Sequence, residues 1–350
     1  MDRKAKGSRR DVLKATAAAG VVGLAGCLGD GAEHTITIAG TSSGSASQAA
    51  GQALARAADE HSEEVDVNVQ TSEGWTANLH EFDAGDFSTI SVDNNSLANA
   101  IESTGPFEEQ PVDELPMQGF VFTSLEMFWV ALDGSGIEST ADLRDGGYTI
   151  YPIEPGFGTN LITTELLEDD GILDANDVNE ENTDDIPGAV EEGRVDALVL
   201  YGSNRVELAG WCQEVDVRSD GSLYTIETDD EFEQTLEDHE GARVDSFEPY
   251  GFEQDVTEEL GVDEVTSWVL DGQWAFGSDV SAEATYELAR IAHEHHDTMR
   301  EADNTTLDYD DPEVFTEAIM PDLEVHPGVA EFMQEHDVWD DDWEEGEADD

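Results

Sequence analysis

Two runs of alternating strand-like and helix-like segments constrain the fold more than any other feature of the sequence. The first run is Thr35 to Ala39, Gln48 to His61, Val65 to Gln70, Trp75 to Ala84, Thr89 to Val92 and Ser96 to Glu102. The second run is Tyr148 to Tyr151, Asn160 to Glu168, Ala189 to Glu192, Ala197 to Tyr201 and Arg205 to Ala209. Such alternation predicts an α/β fold in which helices cover both faces of parallel strands.

The two runs predict two lobes with a cleft between them. Phe120 to Leu132 carries the chain from the first lobe to the second, and the return is near Val265 to Phe276. We therefore assign residues 34–125 plus 270–338 to lobe 1 and residues 126–269 to lobe 2. Helices are expected at Ala282 to Met299 and at Gly328 to His336. The acidic stretch Asp220 to Glu248 has little periodicity, and the acidic tail 339–350 is expected to be disordered.

The amino terminus predicts export and a lipid anchor. Arg9 and Arg10 form a twin-arginine motif, and the apolar stretch Ala15 to Gly26 is too short to span a bilayer, so residues 1–26 are interpreted as a signal. Leu24 to Cys27 is similar to a lipobox, in which Cys27 becomes the lipidated first residue. Residues 27–33 then form a tether on the outer face of the cytoplasmic membrane. The alternative is that Cys27 is an ordinary small residue after a signal.

The charge of the chain indicates a folded protein of an extreme halophile. The net charge is -70, from 84 acidic and 14 basic residues, and 38% of the residues are hydrophobic, with seven Trp. An acidic disordered protein would lack this apolar content. Six of the basic residues lie in the signal, so eight remain, all of them Arg. This balance excludes nucleic acid as a partner, because phosphate binding needs basic clusters.

Five strand-to-helix junctions combine Gly with Ser, Thr, Asn or Asp. In open α/β sheets, ligands bind where strands end and helices begin, and amides at helix amino ends attract anions without Lys or Arg. The alternative is that each junction is only a capped turn. We predict that a small carboxylate contacts Thr41, Ser42, Ser43, Gly44, Ser45, Ser47, Trp75, Asn78, Asp93, Asn94, Gly156, Phe157, Gly158, Thr159, Asn160, Tyr201, Ser203 and Arg205. The Arg205 guanidinium either binds the ligand carboxylate in the cleft through two hydrogen bonds or offsets the charge of acidic side chains on the surface.

Other motifs carry weaker functional interpretations. Gly40 to Gly44 matches the G-x-S-x-G nucleophile elbow, with Ser42 as nucleophile and His326 as its base, but more small residues follow before the helix. No G-K-[ST] follows to form a phosphate-binding loop. His293 and His296 are expected on a solvated helix face rather than at a metal. Asn304 begins a glycosylation sequon, and Cys212 is expected in the core. We predict neither a cofactor nor a metal site.

Several segments together resemble the TAXI-type solute receptors of tripartite ATP-independent periplasmic (TRAP) transporters. Those of lobe 1 are Gly40-Thr41 with its Ala-rich helix, Thr71 to Leu79 and Ala84 to Phe87; those that follow are Pro155 to Asn160, Glu192 to Ala197 and His326 to Val329. The resemblance implies a type II periplasmic-binding-protein fold that is not an enzyme. It also implies capture of glutamate or a related carboxylate and delivery to an ion-driven permease.

The chain departs from this family at two loops. Ser42 to Gln48 is more polar than the family's Gly-rich loop, and the loop after Tyr201 carries Arg205 where the family has a Gly-Gly-Pro pattern. Three alternatives to a TRAP receptor remain open. They are a receptor of an ATP-driven importer, a lipid-anchored sensor, and a secreted hydrolase that uses Ser42.

Overall fold

A computed structural model describes residues 32–349 of the protein. The signal, Cys27 and most of the tether lie outside the described residues. The strands are β1 (His34–Ala39), β2 (Val65–Gln70), β3 (Thr89–Asp93), β4 (Met117–Leu132), β5 (Thr149–Tyr151), β6 (Asp177–Val178), β7 (Ala197–Ser203), β8 (Glu207–Leu208), β9 (Leu223–Thr225), β10 (Arg243–Phe247) and β11 (Val265–Phe276). The helices are α1 (Ala46–His61), α2 (Trp75–Asp83), α3 (Asn94–Glu102), α4 (Thr140–Asp145), α5 (Gly158–Asp170), α6 (Ile172–Ala175), α7 (Ile186–Glu191), α8 (Gly210–Arg218), α9 (Asp230–Asp238), α10 (Ala282–Glu294), α11 (His296–Ala302) and α12 (Pro327–Glu335).

One sheet runs through the whole described chain, in the strand order β2-β1-β3-β11-β4-β7-β5-β6. Its two ends are parallel, because β1 pairs in parallel with β2 and β3, and β5 pairs in parallel with β6 and β7. The middle is antiparallel, since β11 and β4 run against each other and against β3 and β7. The predicted α/β class is therefore confirmed. The finding beyond it is that the crossing strands merge the two parallel sets into a single sheet.

The long strands β4 and β11 are buried over most of their length. Strands that are covered on both faces have near-continuous apolar sequences, which is why both segments lack the alternation of a half-exposed strand. Their pairing runs from Trp268 opposite Met127 to Phe276 opposite Met117. These two strands carry the chain between two groups of hydrophobic cores.

The hydrophobic cores define two lobes. One pair of cores takes its side chains from residues up to Phe122 and from Trp274 onward, and we call this part lobe 1. The other pair takes its side chains from Met127 to Leu270, and we call this part lobe 2. The predicted domain boundaries fall within β4 and β11. Among residues 32–349, no helix is both long and apolar enough to cross a membrane.

Two segments differ from the prediction. The stretch Asp220 to Glu248 contains β9, α9 and β10, because Phe232 and Leu236 bury one face of α9 and the Asp229 side chain caps it. The single helix predicted over Ala282 to Met299 is interrupted at His295, whose ring stacks on His61 with centroids 3.8 Å apart. The many acidic residues of Asp220 to Glu248 thus hid a helix whose buried face consists of Phe232 and Leu236.

The acidic tail, expected to be disordered, is instead bound to lobe 1. Trp339 and Trp343 pack edge to face at 5.5 Å and contact the core of lobe 1. The Gly346 amide donates to Val325 O at 2.9 Å, and the Asp349 amide donates to Ser278 O at 2.7 Å. Large aromatic side chains bury enough surface to offset the entropy of ordering a short segment. Acidic composition alone was therefore a poor guide to this segment.

Replacing Trp343 with Ala tests this anchoring. We expect the free energy of unfolding to fall by about 1 to 3 kcal/mol, because a half-buried indole loses its contacts with lobe 1. Urea unfolding in multimolar salt measures the change. The control is Glu347→Ala, which removes an exposed side chain of the same tail. Equal stability of the two variants would contradict the anchoring.

Candidate functional site

A cleft of about 1040 Å³ lies between the lobes and is larger than the other cavities described within residues 32–349. Lobe 1 contributes the loop before α1 and the start of α2, and lobe 2 contributes the start of α5 and the end of β7. These predicted residues line the cleft: Thr41, Ser42, Ser43, Gly44, Ser45, Ser47, Trp75, Asp93, Gly156, Phe157, Gly158, Thr159, Tyr201 and Ser203. The carboxyl ends of the strands thus meet at one place, as the junctions predicted.

Hydroxyl groups organise the loop that precedes α1. Thr41 Oγ1 donates to Ser45 Oγ at 2.5 Å, and Ser45 Oγ accepts the Gln48 amide at 3.3 Å. Trp75 Nε1 donates to Ser47 Oγ at 2.9 Å, which fixes the indole of α2 against α1. This capping starts α1 at Ala46, two residues earlier than the apolar pattern predicted. The exposed Ser42 and Ser43 remain at the rim of the cleft.

Five helices begin at the wall of the cleft. They are α1, α2 and α3 in lobe 1 and α5 and α8 in lobe 2. The first backbone amides of a helix have no hydrogen-bond acceptor within that helix. Neither Gly74, which precedes α2, nor Phe157, which precedes α5, has a side chain that accepts from these amides. In α5, the first amide bonded to the backbone is that of Asn160, which donates to Phe157 O at 3.1 Å. Unpaired amides of both lobes therefore face the cleft, where an anion would be stabilised.

The Thr159 hydroxyl is an unsatisfied polar group in the wall of the cleft. Thr159 is 4% exposed, and its Oγ1 has no hydrogen-bond partner among the described residues. Buried hydroxyl groups are normally bonded, so an unpaired one costs about 1 to 3 kcal/mol. Its position on the second residue of α5 places it beside the free amides. A ligand in the cleft would satisfy it.

Aromatic side chains form part of the same wall. Trp75, Phe157 and Tyr201 all line the cleft, and Phe157 is 45% exposed. Burial raises the pKa of Tyr201 to about 12, so its hydroxyl stays protonated and can donate a hydrogen bond. The cleft therefore combines amide and hydroxyl donors with apolar faces, as expected for a pocket that holds a small organic molecule.

Three predicted ligand-binding Asn residues do not line the cleft. Asn78 Nδ2 donates to Gly40 O and Ser91 O, both at 2.8 Å. Asn94 Nδ2 donates to Ala318 O at 2.9 Å, and Asn160 Nδ2 donates to Pro152 O and Ile153 O, both at 3.0 Å. These amides bind carbonyl groups of the protein itself. They shape the junctions, and they are not free for a ligand.

Arg205 does not line the cleft, and of its two predicted roles its contacts fit the one in which it offsets surface acid. Its guanidinium pairs with Asp245 and lies 5.3 Å from the centre of the Phe247 ring, and its side chain is 52% exposed. The Arg205 amide donates to Glu126 Oε1 at 3.1 Å. Burial raises the pKa of Glu126 to about 7. The Arg205 guanidinium is thus paired within the protein, outside the cleft.

Four acidic residues line the cleft, and none of the eight Arg residues does. The acids are Glu73, Asp93, Glu207 and Asp303. Each of the eight Arg side chains, all in the described part of the chain, pairs with at least one carboxylate. An anion in this cleft would therefore depend on amides and hydroxyls, and salt would screen the exposed acids.

Asp93 is the buried acid of this wall. It caps α3, because its Oδ1 accepts the Ser96 amide at 2.8 Å and its Oδ2 accepts the Ser96 hydroxyl. Burial raises the pKa of Asp93 to about 6, although these hydrogen bonds oppose the shift. Near neutral pH the ionised Asp93 carboxylate is thus buried in the wall, which lowers the free energy of unfolding.

Several cleft residues escaped the prediction. They are Ala46, Ala49, Glu73, Gly74, Thr76, Ala77, His80, Ser96, Leu125, Glu207, Ala209 and the loop Asp303 to Thr305. Most lie within one helical turn of a predicted residue and could have been included by the 3.6-residue period. The loop carries no local signal apart from the sequon at Asn304. Asn204 Nδ2 holds it by donating to Thr305 O at 2.5 Å, across a separation of 101 residues.

The structure does not assemble the hydrolase or metal candidates. His326 is fully buried outside the cleft, between Val280 O at 3.0 Å and Thr285 Oγ1 at 2.8 Å, so it does not accompany Ser42. His293 packs against Phe315 and Phe332 rather than on a solvated face. Within residues 32–349, no cluster of three or more ligating side chains could hold a metal ion.

The pH dependence of stability tests the environment of Asp93. Its folded pKa, about 6, lies above the usual 3.8, so protonated Asp93 favours folding and this contribution is lost as pH rises towards 6. Asp93→Asn keeps a good helix cap and cannot ionise. As the pH rises from 5 to 7, we expect the unfolding free energy of Asp93→Asn to increase by on the order of 1 kcal/mol relative to that of wild type.

The control for this measurement is Glu73→Gln, which neutralises an exposed carboxylate of the same cleft. Its unfolding free energy should follow the wild-type pH curve. An Asp93→Asn curve parallel to both would contradict the buried, destabilised carboxylate.

The structural comparisons give proteins that bind solutes. The fold is similar to a TctC solute binding protein from Polaromonas, at 13% identity and TM-score 0.44 over 78% of this chain and 89% of that one. It is also similar to the periplasmic aliphatic sulphonate binding protein SsuA from Escherichia coli, at 10% identity and TM-score 0.40 over 86% of this chain and 90% of that one. Likenesses this weak carry no argument about ligand or partner.

Sequence comparison identifies the family of the protein. No curated protein matches the sequence. Residues 38–336 match the NMT1-like family. This range includes both lobes, the loop Asp303 to Thr305 and all the strands that surround the cleft, except for the first four residues of β1. The protein therefore belongs to the NMT1-like family.

Proposed function

We propose that this protein is an extracytoplasmic solute receptor that captures a small organic anion and delivers it to a TRAP-type, ion-driven permease. The observation that carries the proposal is the cleft, in which five helices of the two lobes begin and the buried Thr159 hydroxyl has no partner among the described residues. This arrangement suits reversible binding, because the donors are fixed in place by the helices that carry them.

The ligand class follows from the two sets of amides. The amino ends of α1 and α2 belong to lobe 1, and that of α5 belongs to lobe 2. A glutamate-like molecule or a dicarboxylate has two acidic groups and can contact both lobes at once. Contact with both lobes would hold the cleft closed over the ligand, with motion about β4 and β11. No Arg is required for either group.

The export signal and the lipid anchor on Cys27 complete this proposal. A receptor held at the outer face of the cytoplasmic membrane stays close to its permease, so binding becomes effectively intramolecular. The acidic surface is adapted to concentrated salt, which screens self-repulsion at a Debye length of about 3 Å at 1 M.

Thr159→Val tests the binding site without an assumed ligand. In multimolar salt, a thermal-shift screen of amino acids, dicarboxylates, monocarboxylates, keto acids and neutral sugars identifies the class that raises Tm. We expect glutamate-like molecules or dicarboxylates to do so. For that ligand Thr159→Val should raise the Kd about tenfold, because one hydrogen bond is lost. The unliganded variant should be at least as stable as wild type, since the substitution removes a buried hydroxyl that has no partner among the described residues.

Thr164→Val is the matched control on the same helix. Thr164 Oγ1 donates to Asn160 O at 2.9 Å and does not line the cleft. It should leave the Kd unchanged. A shift only with neutral sugars, or equal Kd values for the two variants, would contradict an anion site at α5. Labelling of Ser42 by an active-site phosphonate would favour the hydrolase.

The source of energy for uptake distinguishes the permease types. In membrane vesicles that contain the receptor and its genomic neighbour permease, uptake of the identified ligand should collapse when the ion gradient is dissipated and persist without ATP. Uptake that requires ATP would assign the receptor to an ATP-driven importer. A sensor kinase in place of the permease would assign it to signalling.

A further inference from the structure

A contact between the lobes lies beside the cleft, on the same helices that form its wall. Asn95 and Asn99 of α3 belong to lobe 1, and Glu165 of α5 belongs to lobe 2. Asn95 Nδ2 donates to Glu165 Oε2 at 2.8 Å, and Asn99 Nδ2 donates to Glu165 Oε1 at 3.3 Å. Both oxygens of one carboxylate are thus held by two amides of the opposite lobe.

The second component of this contact is Gly241, which precedes β10 in lobe 2. A Cβ atom on Gly241 would lie 2.3 Å from Asn95 Oδ1 and 2.7 Å from Asn95 Cα. The Gly241 amide donates to His239 Nδ1 at 3.2 Å, which leaves the proton of a neutral ring on Nε2, 3.7 Å from Glu165 Oε2. Only a residue without a side chain lets lobe 2 approach Asn95 this closely.

The contact is built rather than incidental. Asn95 is 1% exposed and Asn99 is 8% exposed, whereas the Glu165 side chain is 25% exposed, so the amide side of the contact is the buried side. Thr104 Oγ1 donates to Asn99 Oδ1 at 2.8 Å, which orients the Asn99 side chain so that Nδ2 faces the carboxylate. A charge-assisted hydrogen bond in such a setting is stronger than one between neutral groups.

Both helices also reach the cleft. The α3 residue Ser96 and the α3 cap Asp93 line the cleft, and so do Gly158 and Thr159 at the start of α5. Rotation of one lobe against the other would separate Glu165 from α3 at the same time as it separates the amides of α5 from those of α1. The contact and the two sides of the binding site are therefore coupled by rigid helices.

We infer that Asn95, Asn99, Glu165 and Gly241 form a closing latch between the lobes, which sets ligand affinity without touching the ligand. Its effect on affinity rests on the proposed receptor function, whereas its effect on closure does not. When the latch is broken, a smaller fraction of the protein is closed, and the Kd of every ligand rises by the same factor.

The test uses two variants of the latch with matched controls. Gly241→Ala inserts a methyl group that meets the Asn95 backbone, and Glu165→Gln keeps the size of the side chain but replaces one acceptor oxygen with a donor. Gly210→Ala is the control for the first, since its Cβ would meet nothing within 4 Å. Glu168→Gln is the control for the second, because Glu168 is exposed on the same helix.

Closure is measured without ligand from the distance between spin labels on Asp59→Cys and Asp174→Cys, which lie on exposed positions of the two lobes. Cys27→Ser is included in every sample, and the buried Cys212 stays. We expect both latch variants to give longer and broader distances than their controls. Gly241→Ala distances identical to those of Gly210→Ala, in folded protein, would overturn the latch. If Gly241→Ala does not fold, unchanged distances in Glu165→Gln would overturn it.

Affinity is measured with the ligands from the thermal-shift screen. Both latch variants should raise every Kd about tenfold and leave the order of ligands unchanged. A change in that order would show that these residues contact the ligand and would overturn the latch. A screen without any ligand would count against the receptor function alone, because the distance measurement still decides the latch.

Discussion

Backbone hydrogen bonds between β4 and β11 join the lobes, because these two strands alone run from the cores of lobe 1 to those of lobe 2 in the described chain. Some of the buried polar side chains that they carry bind partners on neighbouring strands. Asp271, which is 1% exposed, accepts from Ser124 Oγ at 2.6 Å and from Arg243 Nε at 2.7 Å. The register shifts around Gln273 lie in the same region. The position of every helix end in the cleft depends on this crossing.

Two arginines of the described chain, Arg243 and Arg144, each pair with more than one carboxylate. Arg243 contacts Asp271, Asp245 and Glu317, so one guanidinium serves three carboxylates of both lobes. Arg144 does the same for Asp170 and Asp229 within lobe 2, and this contact lowers the pKa of Asp229 to about 2. Arg suits this task better than Lys, because its planar group donates several hydrogen bonds at once.

The sequence predicted what depends on local pattern. The alternating segments located most strands and helices, and the Gly- and Ser-rich junctions located most of the cleft wall. The same pattern could not separate Thr159, whose hydroxyl is free, from Asn160, whose amide binds Ile153 O at 3.0 Å. The first residues of a helix have the same sequence pattern whether their side chains contact a ligand or bind carbonyl groups of the protein itself. The loop at Asn304 and the tail at Trp343 were missed because contacts with distant residues hold them.

In the proposed receptor, backbone amides rather than charged side chains are the donors to an anion, and this affects how its specificity can evolve. A point mutation can remove an arginine, but it cannot remove an amide unless it introduces proline. The junction conformations are also fixed, since Gly74 and Gly156 have φ values of 146° and 101°, where other residues are strained. Divergence among related proteins should therefore spare the capacity to hold a negative group. It should alter the hydroxyl and aromatic side chains that select the rest of the molecule.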